Sequence, residues 1–392
     1  MKPLSTHHES GGSTRLHSLR QRAEAIVRGE VSHGPLAALL WALSRGYGRG
    51  VRLRNGWLDR GLSPVRRLPV PVISVGNLTA GGTGKTPMAL HLAGDLRRRG
   101  IRPAVVSRGY RGGAERGGGV VSDGERRLLG ASQSGDEPHL LAERLPGVPV
   151  VVGADRFLAG MTAVSRFSPD LILLDDGFQH RRLARELDLV LLDARRPLGN
   201  GHLLPRGPLR EAPSALRRAD ALILTRSDRG GGRPFHVPGT ERIPVFRARH
   251  RPALRRIVPA GRPLGEAEAG PSASSPLEGR RIFLFSGLAH NADVLRTVRA
   301  LGGRTVGTAD FPDHHVFSDA DRAAILRDAR QAEADLLATT EKDAVRLPPD
   351  AAFPLDLAVV GVEIDFGRDA DRFLSFLTRR LEAIMSPKAG RR

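Results

Sequence analysis

The sequence predicts an α/β protein: a mostly parallel sheet with helices on both faces, a second and smaller α/β domain, and an N-terminal amphipathic helix. Three observations predict it. From about residue 68, short β-rich runs alternate with helical stretches, which is the pattern of parallel strands joined by crossover helices. A Pro/Gly/Ser/Ala-rich stretch at 259–278 interrupts that alternation before a second set begins. Ahead of both, leucines recur at helical spacing in an otherwise polar, basic segment.

Residues 1–30 are polar, rich in His, Ser, Gly and Arg, and hold no apolar core of a signal peptide, so they read as a mobile leader. In 31–67, Leu36, Leu39, Leu40 and Leu43 follow the i, i+3, i+4, i+7 rule, with Trp41 beside them and Arg45, Arg49, Arg52 and Arg54 just after. This helix is too short in apolar length to span a bilayer. It suits either an interface or a core against which the leucine stripe docks. Residues 1–67 carry 12 basic and 4 acidic side chains, so an anionic lipid surface would reinforce the apolar face. Strand-like runs follow at 70–75, 104–107, 148–152, 171–174, 187–192 and 221–225, placing the first α/β domain at 68–258. After the flexible insert at 259–278, runs at 281–286, 304–308, 336–340 and 357–362 place the smaller domain at 279–392. Ligands of such sheets bind at the carboxyl ends of the strands.

The first run opens into Gly76-Asn-Leu-Thr-Ala-Gly-Gly-Thr-Gly-Lys-Thr-Pro87 and then a helical stretch, 88–99. This is a phosphate cradle of the P-loop NTPase type. The backbone amides of Gly81, Gly82, Thr83 and Gly84 crowd around phosphate oxygens, Lys85 reaches the β- and γ-phosphates, and Thr86 can hold Mg²⁺. The strict pattern wants glycine where this chain has Thr79, but the strand and helix on either side supply the confirming context. Only four of the 61 basic residues are lysine: Lys2, Lys85, Lys342 and Lys388. A compact ammonium retained in an arginine-using chain points to phosphate coordination.

Further chemistry-bearing groups lie at loops. Leu171-Ile-Leu-Leu-Asp-Asp-Gly-Phe-Gln-His180 is a buried-type strand ending in two carboxylates, the Walker-B arrangement, which makes Asp175 and Asp176 candidate Mg²⁺ partners. Ser134-Gly-Asp-Glu-Pro138 sets two acids in a turn, and Asp310-Phe-Pro-Asp-His-His-Val-Phe317 sets an Asp-His-His cluster in the second domain. Each alone is ordinary turn chemistry. Together they supply a carboxylate to accept a hydroxyl proton and an imidazole to orient it. Arg210 and Glu211 close a turn-rich loop. Thr339-Thr-Glu-Lys-Asp343 reads either as a nucleotide contact or as a helix cap with a salt bridge.

The 392-residue chain has no cysteine, which excludes disulfides, thiolate nucleophiles and cysteine-bound zinc and fits a reducing cytosol. Its formal net charge of +19 is compatible with nucleic acid, an anionic membrane or acidic substrates. Aromatics at 4% supply few base-stacking platforms, and the arginines are not interleaved with them, so no nucleic-acid partner is expected.

The motifs Gly76–Pro87, Ser107-Arg-Gly-Tyr110, Gly135-Asp-Glu-Pro138, Asp175-Asp-Gly-Phe-Gln-His180, Gly199-Asn-Gly-His-Leu-Leu-Pro205, Gly207-Pro-Leu-Arg-Glu211, Phe285-Ser-Gly287, Asp313-His314 and Thr340-Glu-Lys-Asp343, in this order, resemble the tetraacyldisaccharide 4′-kinase (lipid A 4′-kinase) family from about residue 35 to 365. The resemblance implies a peripheral enzyme on the cytoplasmic face of the bacterial inner membrane. Such an enzyme transfers the ATP γ-phosphate to the 4′-hydroxyl of a tetraacyl glucosamine disaccharide 1-phosphate in lipid A biosynthesis, with no obligate protein partner. It implies a membrane-contacting helix over the 31–67 segment, because a substrate with four acyl chains stays in the bilayer. Position by position, it implies that Asp136 and His314 are catalytic. It assigns Gly81 to Thr86 and Arg210 to the nucleotide, and Thr86, Asp175, Asp176, Gln179 and Glu211 to the metal and its surroundings. His315 is an extra histidine without an assigned role. The rival readings are a membrane-associated P-loop switch ATPase that phosphorylates nothing, and a kinase of a soluble small molecule. Switch ATPases of that kind carry a second lysine before the Gly-Gly pair, where this chain has Ala80.

Overall fold

In a computed structural model of the chain, the described residues are 19, 21–229, 235–266, 277–287 and 291–386. Most of the expected leader (1–18 and 20) and the middle of the expected insert (267–276) lie outside them. The chain forms two compact units, each assembled from separated stretches. One takes Met1–Val65, Gly76–Thr83 and Asp188–Arg247; the other takes Arg66–Val75, Gly84–Leu187 and Ala248–Arg392.

In chain order the elements begin with α1 (21–27), α2 (Pro35–Asp59), β1 (Val72–Asn77), α3 (Lys85–Arg98), β2 (Pro103–Ser107) and β3 (Gly119–Ser122). There follow α4 (Ala131–Ser134), α5 (Asp136–Arg144), β4 (Val150–Val152), α6 (Arg156–Phe167), β5 (Leu171–Asp175) and β6 (Leu187–Asp193). Next are β7 (Ala221–Thr225), β8 (Val245–Arg247), β9 (Arg249–Val258), β10 (Arg281–Ser286), α7 (Asn291–Ala300) and β11 (Arg304–Asp310). The chain ends with α8 (Asp319–Gln331), β12 (Leu336–Thr340), α9 (Glu341–Ala344), β13 (Leu357–Asp365) and α10 (Ala370–Met385).

In the first unit, β6, β7 and β8 pair in parallel. β6 and β7 read as near-continuous apolar runs and are buried, as parallel strands covered on both faces must be. The leader is helical over its last part: Ile26 is buried, and Asn200 Nδ2 donates to its carbonyl at 3.0 Å. Arg196 Nη1 adds a second bond, to the Arg28 carbonyl just past α1 at 2.5 Å.

In the second unit, one sheet has the order β3-β4-β2-β5-β1, parallel except for the antiparallel edge strand β3. Alternation sorts its residues. Val72, Ala104, Val106, Ile172 and Leu174 pack with Ala159 and Ala163 of α6. The intervening Ile73, Val105 and Leu173 point to the other face and are equally buried, with α3 packed on β2 and β5.

The second sheet of this unit has the order β11-β10-β12-β13-β9, and only β9 is antiparallel. Ile282, Leu284 and Ala338 pack on α7 through Val294 and Val298. Phe283, Phe285 and Leu337 pack on α8 and α9 through Ile325, Ala329 and Ala344. The arginine-rich β9 is neutralised across the ladder: Arg249 pairs with Asp365, and Arg251 and Arg255 pair with Glu363.

Candidate active site

In the first unit, the stretch after β1 is held by its own polar groups. Asn77 Nδ2 donates to Thr79 O at 2.6 Å and to Thr83 Oγ1 at 3.1 Å. Thr225 Oγ1 takes the Thr83 carbonyl and Arg226 Nη1 takes the Gly82 carbonyl, each at 2.9 Å. With these carbonyls engaged, the amides of Gly81, Gly82 and Thr83 are the groups left for an anion. Thr79 forms an antiparallel bridge with Leu209. That extended conformation needs no glycine, which is the physical reason for the departure from the strict pattern. The left-handed positions are Gly81 and Gly84, with φ of 111° and 91°, where glycine carries no steric penalty.

Arg210 and Glu211 also belong to this unit. Glu211 is 1% exposed, and its oxygens accept from Arg54 Nη2 (3.2 Å), Asn55 Nδ2 (2.9 Å) and Arg218 Nη2 (2.9 Å). Tyr47 donates to the Arg210 carbonyl, and Ser44 donates to that of Leu203, each at 2.9 Å. These contacts dock α2 by a face of small residues, Ala37, Ser44 and Gly48. A Cβ on Gly48 would stand 2.8 Å from Leu203. The leucine stripe lies beside the docking face: Leu36 and Leu40 are half-buried, and Leu39 and Leu43 are exposed, as are Trp41, Leu53 and Trp57.

In the second unit, α3 starts at Lys85 directly after Gly84, three residues earlier than the helical stretch read from the sequence. Lys85 Nζ lies 3.6 Å from Asp176 Oδ1, and Thr86, half-buried, follows on the same turn. Asp176 holds φ 54°, a strained setting for a non-glycine residue just past the end of β5. Gly177 is required there, because a Cβ would stand 2.6 Å from Ser74 Oγ. Arg185 Nη1 then pins the turn that carries Gln179 through the carbonyls of Gly177 and His180.

Asp175 is fully buried. Its Oδ2 accepts from Ser107 Oγ at 3.2 Å, and its Oδ1 is buried without a hydrogen-bond partner. Burial, with the charges of Glu137 and Asp176, pushes its carboxyl up to about 7 against the opposing pull of Lys85. A buried acid with an unpartnered oxygen and two acidic neighbours fits a hard divalent cation. Among the described residues no cluster of three or more His, Cys, Asp or Glu side chains is arranged to hold a metal.

Asp136 opens α5. Gly135, at φ 84°, lets the turn before it pack backbone to backbone on the Ser107–Tyr110 loop; a Cβ would stand 2.8 Å from Tyr110 O. Across 178 positions of sequence, His314 Nδ1 meets Asp136 Oδ2 at 2.7 Å. Burial raises the Asp136 carboxyl, but the Arg346 charge and the hydrogen bonds from His314 and Arg346 outweigh it and leave the group below its ordinary range.

Arg346 was not among the residues expected from sequence. Its guanidinium reaches Asp136 at 2.8 Å from a position two residues past α9. The only signal for it in the sequence is its i, i+3 spacing from Asp343. The Thr339–Asp343 segment resolves as a cap with a salt bridge: Thr340 Oγ1 accepts from Asp343 N, and Lys342 pairs with Glu137 at 3.3 Å. His315 stacks on Phe311 and meets Asp321 Oδ2 at 3.0 Å, at the N-terminal cap of α8.

A family model described as tetraacyldisaccharide-1-P 4′-kinase (LpxK) matches residues 36–382. Curated tetraacyldisaccharide 4′-kinases are similar over most of their length. The protein from Anaeromyxobacter dehalogenans (strain 2CP-C) is 46% identical over 86% of this chain and 90% of its own. That from Syntrophus aciditrophicus is 43% identical over 84% and 89%. Among solved structures, LpxK from Aquifex aeolicus in complex with ATP superposes with a TM-score of 0.70 at 31% identity, covering 88% of this chain and 98% of that one.

Proposed function

From the premise that the chain belongs to the tetraacyldisaccharide-1-P 4′-kinase family, we propose that it transfers the γ-phosphate of ATP to the 4′-hydroxyl of a tetraacylated glucosamine disaccharide 1-phosphate. The observation that carries the reading is the Asp136–His314 pair, formed from two distant loops. The sugar oxygen forms a bond to Pγ while the bond from Pγ to the β,γ-bridging oxygen breaks, releasing ADP, and the hydroxyl proton passes to Asp136.

Lys85 would meet the phosphates as a point charge, and the family resemblance assigns the backbone amides of Gly81 to Gly84 and the Arg210 guanidinium to the nucleotide as well. Thr86, Asp175 and Asp176 are the side chains that would hold Mg²⁺, with Gln179 beside them. The ion, when bound, would offset the negative charge of the transferring phosphoryl group. Glu211 would have to release Arg54, Asn55 and Arg218 to ligate it.

The enzyme works as a peripheral protein on the cytoplasmic face of the bacterial inner membrane. Among the described residues no helix is long and apolar enough to cross a membrane. The outward Leu39, Trp41, Leu43, Leu53 and Trp57 of α2 support interfacial contact instead.

Labelled γ-phosphate traced onto the disaccharide lipid tests the transfer. Asp136→Ala is expected to lower kcat by about 10²–10⁴-fold with the KM for ATP retained. Label recovered solely as inorganic phosphate would favour the switch ATPase.

A further inference from the structure

Four side chains of the second unit, Asp343, Arg346, Asp136 and His314, form one chain of contacts that includes the base. Asp343 is wholly buried, and its carboxylate takes four donors. Oδ2 accepts from Ser286 Oγ at 3.1 Å and from Thr340 Oγ1 at 2.6 Å, and Oδ1 accepts from Gly287 N and Arg346 Nη1, both at 3.1 Å. Arg346, its side chain 2% exposed, is thereby locked on one edge. With Nε it donates to Asp136 Oδ2 at 2.8 Å. An ionised carboxylate only accepts, so the imidazole of His314 donates Nδ1–H to the same Oδ2. His314 is itself held at φ 65°, a strained setting for a residue with a Cβ.

We propose that Arg346 is a positioning residue for phosphoryl transfer: anchored on Asp343, it grips Asp136 by Oδ2 together with His314 and so turns Oδ1 toward the acceptor hydroxyl. The inference rests on the reading of Asp136 as the base. A stabilising ion pair would need only Asp343 and Arg346, which lie three residues apart. The guanidinium instead spends its second edge on a carboxylate 210 positions away. Planarity makes this possible: a guanidinium spans two carboxylates in fixed geometry, and an ammonium does not. The grip lowers the basicity of Asp136. That cost is tolerable in a loose phosphoryl transfer, where the attacking hydroxyl must be aligned more than deprotonated early. The other ionisable groups around Asp136 are Asp313, which is 3.8 Å from Arg346, His139 one turn along α5, and the Glu137–Lys342 pair.

The test compares Arg346→Gln, Arg346→Lys and Asp136→Ala for kcat, both KM values and the pH profile of kcat, with melting temperature as the check on folding. Arg346→Gln is expected to lower kcat about 100-fold with the KM for ATP within about twofold, and to move the acid limb of the profile upward by about one pH unit as Asp136 loses its cation. Arg346→Lys recovers part of the rate and part of the limb. Should Arg346→Gln fail to fold because Asp343 is left buried without its cation, Asp343→Asn/Arg346→Gln removes both charges and must show the same limb shift. A folded variant with unchanged kcat and acid limb, alongside an inactive Asp136→Ala, overturns the role of Arg346 and leaves the base intact. An active Asp136→Ala overturns the base and the inference with it.

Discussion

Asp175 is the residue whose charge is most at odds with its surroundings. Burial and the neighbouring Glu137 and Asp176 raise its carboxyl to about 7, so the folded chain holds that proton more tightly than the unfolded chain does. An acid raised in this way contributes stability that is full below its ordinary pKa of about 4 and is lost as pH rises through about 7. Asp175→Asn keeps an acceptor for Ser107 and cannot ionise. The variant is expected to be more stable than the parent at pH 8, by up to about 4 kcal/mol, and no more stable at pH 4, with turnover lost. Melting temperatures across that range, without Mg²⁺ and nucleotide, check it. Parallel curves for the two proteins would show that Asp175 does not titrate in this window.

At the scale of elements, the start of α3 depends on Gly84. Its φ of 91° disfavours any Cβ, and the added atom would stand 2.5 Å from His250 Nε2 on β9. Gly84→Ala is expected to cost about 1–3 kcal/mol and to remove ATP binding. Gly82→Ala, which meets nothing within 4 Å, should change stability by less than about 0.5 kcal/mol. Chemical denaturation with ATP titration separates the two variants. Adding His250→Ala to Gly84→Ala relieves the clash but not the backbone strain, so recovery should be partial. The same elements show what the sequence made legible. β7, β10 and β12 fall at the residues read from apolar runs, because strands buried on both faces are written in near-continuous apolar residues, here Leu, Ile, Phe and Ala. β9 escaped that reading, since Arg249, Arg251, Arg255 and Arg256 break any apolar pattern, and their partners lie on β13, α9 or α5, far along the chain. Arg346 escaped for a related reason: in a chain that uses arginine almost everywhere, one more arginine carries no mark, and its meaning comes from a fold that brings it to Asp136. The leucine stripe of α2 was visible, but periodicity gives the width of an apolar face and not what covers it. The packing of Ala37, Ser44 and Gly48 on the body left Leu39 and Leu43 outward and Leu36 and Leu40 half-buried at the edge.

At the scale of the whole molecule, a net charge of +19 and the exposed apolar face of α2 make separable demands on a membrane surface. Attraction of basic side chains to anionic lipid amounts to about 1 kcal/mol for each one near the surface, and salt screens it within a Debye length of about 10 Å at 0.1 M. Burying Leu39, Leu43, Leu53 and Trp57, which are 52–67% exposed, contributes roughly 1–2 kcal/mol each, and salt leaves that part intact. The parent protein should therefore bind anionic vesicles tightly at low ionic strength and keep a measurable fraction bound at about 0.5 M salt. With those four residues replaced by Ser, binding should persist at low salt and vanish at high salt. The melting temperature should stay close to the parent value, because outward side chains contribute little to folding. Co-sedimentation across a salt series reads both terms in one experiment. Equal salt curves for the two proteins would show that α2 does not carry vesicle binding, and loss of binding by the parent at high salt would leave charge as the sole attraction to the vesicle.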